Sequence, residues 1–77
     1  MFETIRDFLA AELNIDASTI TPDTDLSRDL GADSLDLYEM IMAMEEKYDI
    51  TIPEEELKSI HTINDVMEIL SANGVEE

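Results

Sequence analysis

Chemistry in this chain can be placed at one run, Gly31-Ala32-Asp33-Ser34-Leu35, which joins a long loop to a helix. Ser34 has two readings there. As a plain helix N-cap, its hydroxyl accepts a hydrogen bond from a first-turn backbone N–H and has no further role. Alternatively, it carries a phosphate ester. A phosphodiester at that position would meet free backbone N–H groups and the positive end of the helix dipole. Its negative charge would then be tolerated even in an acidic chain. Gly31 lets the loop turn sharply and leaves the hydroxyl open to a modifying enzyme. A hydrolytic serine would need a base and an oxyanion hole. His61 is the chain's one imidazole, and nothing in the sequence brings it to Ser34; it reads as a surface or C-capping residue. There is no cysteine, so no protein thiolate does chemistry or holds a metal.

A second constellation lies on the helix that Ser34 opens, read as Ser34–Tyr48 with Asp33 or Ser34 as its cap. Leu37, Met40, Ile41, Met44 and Tyr48 recur at helical spacing and form a core stripe. Leu35, Tyr38 and Met42 fall on the opposite side, flanked by Glu39, Glu45 and Glu46. This pattern is either scattered exposure with solvated charges or a docking surface with an apolar centre and a charged rim.

Other helices must position these residues. Phe2, Ile5, Phe8, Leu9 and Leu13 share one face of a first helix over 2–13, with Asn14 as a left-handed stop. Residues 15–33 show no period. That loop exceeds the about 12–15 residues at which structureless connections become uncommon. Ile20, Leu26 and Leu30 are its expected pins, with a short helical turn near Leu26–Asp29. A short third helix, Glu54–Ser59, takes Pro53 into its first turn and faces Leu57 and Ile60 inward. The fourth starts at Thr62 with Asp65 in a capping-box position. Its stripe is Ile63, Val66, Met67 and Leu70, and it ends at Asn73-Gly74. The expected fold is an all-α bundle: three main helices, a short third one and a long loop between the first two.

Composition sets the limits. The chain has 77 residues, 20 Asp+Glu against 4 Lys+Arg, and a net charge of -16. A nucleic-acid binder needs a basic face and is excluded, and anionic membranes are disfavoured. A hydrophobic fraction of 44% is too high for a disordered acidic tail. No apolar run approaches a membrane span, and MFETIRDFL is no signal peptide. The expectation is a monomeric cytoplasmic domain that does not insert into membranes.

The run Leu30-Gly31-Ala32-Asp33-Ser34-Leu35-Asp36, followed by Glu39, Met42-Ala43-Met44-Glu45-Glu46, Tyr48-Asp49-Ile50 and Ile52-Pro53-Glu54-Glu55, resembles a bacterial acyl carrier protein of dissociated (type II) fatty acid synthesis. The likeness covers nearly the whole chain, as one acyl carrier domain over 1–77. It implies that Ser34, flanked by Asp33 and Leu35, carries 4'-phosphopantetheine, transferred from coenzyme A by a phosphopantetheinyl transferase with magnesium. The arm's thiol would hold acyl chains as thioesters, and the protein itself would be no enzyme. The implied partners are that transferase, ketoacyl synthases, reductases, a dehydratase, a malonyl transferase and acyltransferases. Their basic patches would meet Asp33, Asp36, Glu39, Glu45 and Glu46 around Leu35, Tyr38 and Met42. The implied acyl pocket is Met40, Ile41, Met44, Ile52, Leu57, Ile60 and Val66, which are also ordinary core residues. The sequence departs from the usual pattern at Tyr38, Met40, Met44 and Leu57, and leaves Ser34 untouched.

Two other readings compete with this one. A calcium loop begun at Asp23 meets Arg28 where glycine is required and Ser34 where glutamate is required, so it fails. No specific metal site is expected, only weak divalent binding around Asp29, Asp33 and Asp36. An interaction module without a cofactor would use the same acidic helix face, and whether Ser34 accepts phosphopantetheine separates the two.

Overall fold

The computed structural model describes residues 1–76. Three α-helices form it: α1 (Phe2–Leu13), α2 (Ser34–Tyr48) and α3 (Ile63–Ala72). Two 3-10 segments, Ala17–Thr19 and Glu54–Ser59, lie between them. Each α-helix buries the face its periodicity predicts. Ile5 and Leu9 from α1, Met40, Ile41 and Met44 from α2, and Ile63, Val66 and Leu70 from α3 make the centre of the core. Leu37, Tyr48, Phe2, Phe8, Leu13 and Met67 sit half-buried at its edges. α1 packs against both α2 and α3. No helix among the described residues is long and apolar enough to cross a membrane.

Caps fix the helix ends. Asn14 (φ 55) and Asp49 (φ 54) take the left-handed conformation that stops α1 and α2. At the end of α3 the left-handed residue is Gly74 (φ 96), while Asn73 stays at φ -99. Thr62 and Asp65 form a reciprocal capping box. The Asp65 carboxylate accepts from the His61 N–H at 2.9 Å and the Thr62 N–H at 3.0 Å. Backbone N–H groups from Thr62 and then His61 hold it below the usual carboxylate range. A carboxylate with a lowered folded-state pKa adds stability above its unfolded pKa, and that stability is lost as pH falls through the folded value. Asp65→Ala should therefore lower Tm at neutral pH by about 5 °C, for a cap contribution of about 1 kcal/mol. The gap to wild type should narrow on acidification. Thermal melts at neutral and acid pH check this, and a gap that stays constant would count against it.

The long loop is tied down at its expected pins. Ile20 and Leu26 are buried and Leu30 is half-buried; Ala32, not foreseen, is buried as well. Near Leu26–Asp29 the chain makes a helical turn, followed by a bond of the same span from the Gly31 N–H to the Ser27 carbonyl at 3.0 Å. The Asp29 N–H donates to the Asp25 carbonyl at 2.9 Å, and the Asp29 carboxylate accepts from the Asp25 N–H at 2.8 Å. The unforeseen Ala17–Thr19 turn is capped by Asp16, which accepts from the Ser18 N–H. The Leu26 N–H donates to the His61 carbonyl at 2.8 Å, and the Asn64 N–H donates to the Pro22 carbonyl at 2.9 Å. These two bonds fasten the loop to the start of α3. They leave one isolated bridge, Asp25 with Thr62, in place of any strand among the described residues.

The Glu54–Ser59 segment is a 3-10 helix, wound more tightly than an α-helix, and Pro53 lies before its first turn as the N-cap. Its residues turn Ile60 into the core and leave Leu57 half-buried. Two side-chain bonds tie the segment and its approach to the rest of the fold. Glu45 accepts from the Ile52 N–H at 2.8 Å, and Asn73 Nδ2 donates to Glu56 at 3.2 Å.

Candidate functional site

Asp33, and not Ser34, is the N-cap of α2. Its carboxylate accepts from the Asp36 N–H at 2.9 Å, and Asp36 accepts from the Asp33 N–H at 3.0 Å. Ser34 is consequently the first residue of the helix proper. Its side chain is exposed, and no described side chain or backbone group hydrogen-bonds to its Oγ. The plain N-cap reading of Ser34 therefore does not hold. No imidazole reaches its hydroxyl as a base; exposed His61 uses its backbone to bond Asp65 and Leu26.

The same capping box decides which N–H groups stay open. Asp36 N–H is taken by Asp33, and Leu37 N–H donates to the Asp33 carbonyl at 3.1 Å. The N–H groups of Ser34 and Leu35, in the first turn, have no acceptor within the helix. An oxygen of an anion esterified to Ser34 is suited to them. Gly31, at φ 72, makes the turn that brings the loop into this cap.

A groove of about 540 Å³ opens beside Ser34. Leu35, Leu37, Tyr38 and Leu57 give it apolar walls, and Glu54 and Lys58 stand on the side of the 3-10 segment. Leu37 and Leu57 also pack against the core. Of the seven residues expected to line an acyl pocket, Leu57 alone lines this groove. Met40, Ile41, Met44, Ile52, Ile60 and Val66 lie behind it in the core, each 6% exposed or less. Leu37, Glu54 and Lys58 were missed as groove residues. Leu37 had a signal, since it stands at the edge of the core stripe nearest Ser34.

On the outer side of α2, Leu35 (62%), Tyr38 (49%) and Met42 (50%) are the exposed large hydrophobic residues of the described chain. Leu35 and Tyr38 also wall the groove, so this apolar surface and the groove are continuous. The carboxylates around it are not equivalent. Glu46 is exposed, whereas Glu45 is half-buried and bonded to the Ile52 N–H. Asp33 and Asp36 are engaged in the cap. Glu39 lies beside Glu12 of α1. A hydrogen bond between the two carboxyls, then their mutual repulsion, holds Glu39 above the usual carboxylate range, with smaller contributions from desolvation and Asp33.

A raised folded-state pKa means that the ionised pair costs stability once pH rises through that value. Glu39→Gln should therefore raise Tm slightly at neutral pH, and the gain should disappear in acid. Melting curves of both proteins across the carboxylate range check this; a lower Tm for the variant at neutral pH would contradict it.

Asp29, Asp33 and Asp36 do not gather into a divalent site. Each carboxylate is bonded to backbone N–H groups in one of two separate caps, and no three acidic or imidazole groups among the described residues are placed to hold an ion.

Comparison with known proteins matches residues 3–70 to a family described as the phosphopantetheine attachment site. An acyl carrier protein of Helicobacter pylori is 45% identical over 73 residues, covering 95% of this chain and 94% of the relative. One from Clostridium acetobutylicum is 42% identical over 76 residues, covering 99% of each. A solved structure assigned as an acyl carrier protein of Mycobacterium tuberculosis superposes with a TM-score of 0.83 at 32% identity, covering 92% of this chain and 95% of its own.

Proposed function

Because the chain belongs to the acyl carrier protein family, with its phosphopantetheine attachment domain, we propose that Ser34 is the attachment residue and that residues 1–77 form one carrier domain serving fatty acid synthesis. The observation that carries this reading is the free, exposed Ser34 hydroxyl at the start of α2. The residues fit the group. Two open first-turn N–H groups suit its phosphate, and an apolar groove begins at the same serine. When bound, the arm supplies a thiol that holds acyl groups as thioesters. A chain without cysteine offers no competing thiol.

The protein's own residues bind and present; like its family, the chain is a carrier and not a catalyst. The Asp33–Asp36 box holds the first turn of α2 still while leaving Ser34 Oγ open to a transferase. Leu37 and Leu57 separate the groove from the core, so an acyl chain that leaves water meets apolar surface there first. The acidity and the Asp33-Ser34-Leu35-Asp36 run support fatty acid synthesis over polyketide or peptide assembly. Acyl groups released from protein purified from its own cells test that choice. A ladder of saturated and 3-hydroxy fatty acyl chains is expected, and aromatic polyketide or aminoacyl groups would overturn it. We place the carrier in the cytoplasm with its synthases, reductases, dehydratase and acyltransferases.

Partners would dock on the Leu35, Tyr38 and Met42 face. Met42→Ala removes contact at its centre and should speed dissociation from a ketoacyl synthase about tenfold, with little change in salt response. Glu46→Lys should instead slow association and weaken the salt dependence. Glu45 is a poor probe of the same effect, because its carboxylate holds the Ile52 N–H. Glu3→Lys on α1 is the control. Binding kinetics decide, and equal sensitivity at Glu3 and Glu46 would leave the α2 face with no special role.

A further inference from the structure

With Ser34 as the attachment residue, we propose that the Lys58 ammonium is the counter-ion of the phosphodiester at that serine, and that it turns the base of the arm toward the Glu54–Ser59 segment. The inference deepens the carrier reading and rests on it. Ser34 and Lys58 line one groove although they are far apart in sequence.

The chain has four cationic side chains from Lys and Arg. Arg6 pairs with Asp7 at 2.9 Å and lies over the Phe2 ring. Lys47 lies over the ring of Tyr48, at the far end of α2 from Ser34. Arg28 is exposed in the 25–29 turn and does not line the groove. Lys58 is exposed, lines both this groove and a neighbouring hollow shared with Glu54 and Glu55, and has no ion-pair partner among the described residues, in a chain with 20 Asp+Glu.

Charge around Ser34 is therefore lopsided. Asp33 and Asp36 form the cap beside Ser34 and do not line the groove, and their carboxylates repel an added phosphate. Lys58 stands across the groove. The open N–H groups of Ser34 and Leu35 meet part of the anion's charge, and the ammonium meets the remainder. Glu54 and Tyr38 line the same groove; Glu54 competes for Lys58 and sets the balance. An ion pair open to water is weak and screened by salt, so it biases the arm's direction without locking it.

The test uses lysine-labelled protein before and after loading with coenzyme A, magnesium and a phosphopantetheinyl transferase, with loading read by mass. The ε-carbon and ζ-nitrogen signals of Lys58 should shift on loading while those of Lys47 stay in place. The phosphorus signal of loaded Lys58→Gln should shift from wild type, that of Lys58→Arg should stay close to it, and Lys47→Gln should have no effect. About 1 M salt, where the screening length is about 3 Å, should erase the differences. Fully loaded protein with unmoved Lys58 signals would overturn the proposal alone, as would a phosphorus signal moved equally by Lys47→Gln and Lys58→Gln. Wild-type protein that gains no mass would overturn the Ser34 assignment and this proposal with it.

Discussion

Ser34→Ala should abolish phosphopantetheine loading completely while leaving the fold intact. Loss of loading follows from chemistry, because the ester needs a hydroxyl oxygen at the open end of α2. Retention of the fold follows from the structure. Ser34 Oγ has no hydrogen-bond partner among the described residues to lose, and the cap of α2 belongs to Asp33 and Asp36. Alanine is also a better helix former than serine, so Tm should hold or rise slightly. Ser18 and Ser59 serve as internal controls. Ser18 Oγ is bonded to Asp16 and Ser59 Oγ donates to the Glu56 carbonyl, so neither is presented as Ser34 is. Intact-protein mass after incubation with coenzyme A, magnesium and a transferase, together with circular dichroism, reads both halves. A mass gain on the variant would move the attachment site elsewhere.

The largest effect on stability should come from Met44→Ala. Met44 is 2% exposed, in the core cluster with Ile52 and Ile60. Truncating a buried methionine to alanine costs about 2–5 kcal/mol, from lost transfer energy and the cavity left behind. Domains hold only about 0.05–0.15 kcal/mol per residue, so this is a large part of the total. Tm should fall by at least about 8 °C. The same cavity makes a second, opposite prediction for acylated protein. In the wild type a chain entering behind Leu37 and Leu57 must displace packed side chains, which offsets the roughly 0.8 kcal/mol gained per buried methylene. In Met44→Ala part of that space is already open. A medium-length acyl group on the arm should therefore raise Tm more in the variant than in the wild type. Scanning calorimetry of unacylated and acylated forms of both proteins measures the difference. An equal or smaller gain in the variant would show that the chain does not enter the core beside residue 44.

Local physics made much of this protein readable from its sequence. The limits of α1, α2 and α3 follow from i, i+3, i+4 spacing and from caps that act within one turn: Asn14 after Leu13, and Thr62 with Asp65 before Ile63. The exposure of Leu35, Tyr38 and Met42 follows from the same geometry, because a helix with one buried stripe must turn its opposite side outward. Ser34 stood out because its neighbours in the chain, Gly31 to Asp36, are also its neighbours in space. What tertiary structure decided involves groups brought together from distant parts of the chain or choices between competing hydrogen bonds. Asp33 won the cap because Asp36 could return its bond, which freed the Ser34 hydroxyl. The loop's pins were visible, but its bonds to His61 and Asn64 depend on α3 lying beneath it. Helical spacing puts Glu45 on the rim, but the Ile52 N–H, seven residues on, takes its carboxylate. Glu12 meets Glu39 because α1 and α2 pack together, and Lys58 shares a groove with Ser34 because α2 and the Glu54–Ser59 segment form its two walls. Periodicity assigns a residue to a face of its own helix; only the packing of one element on another says which side chains and charges that face will meet.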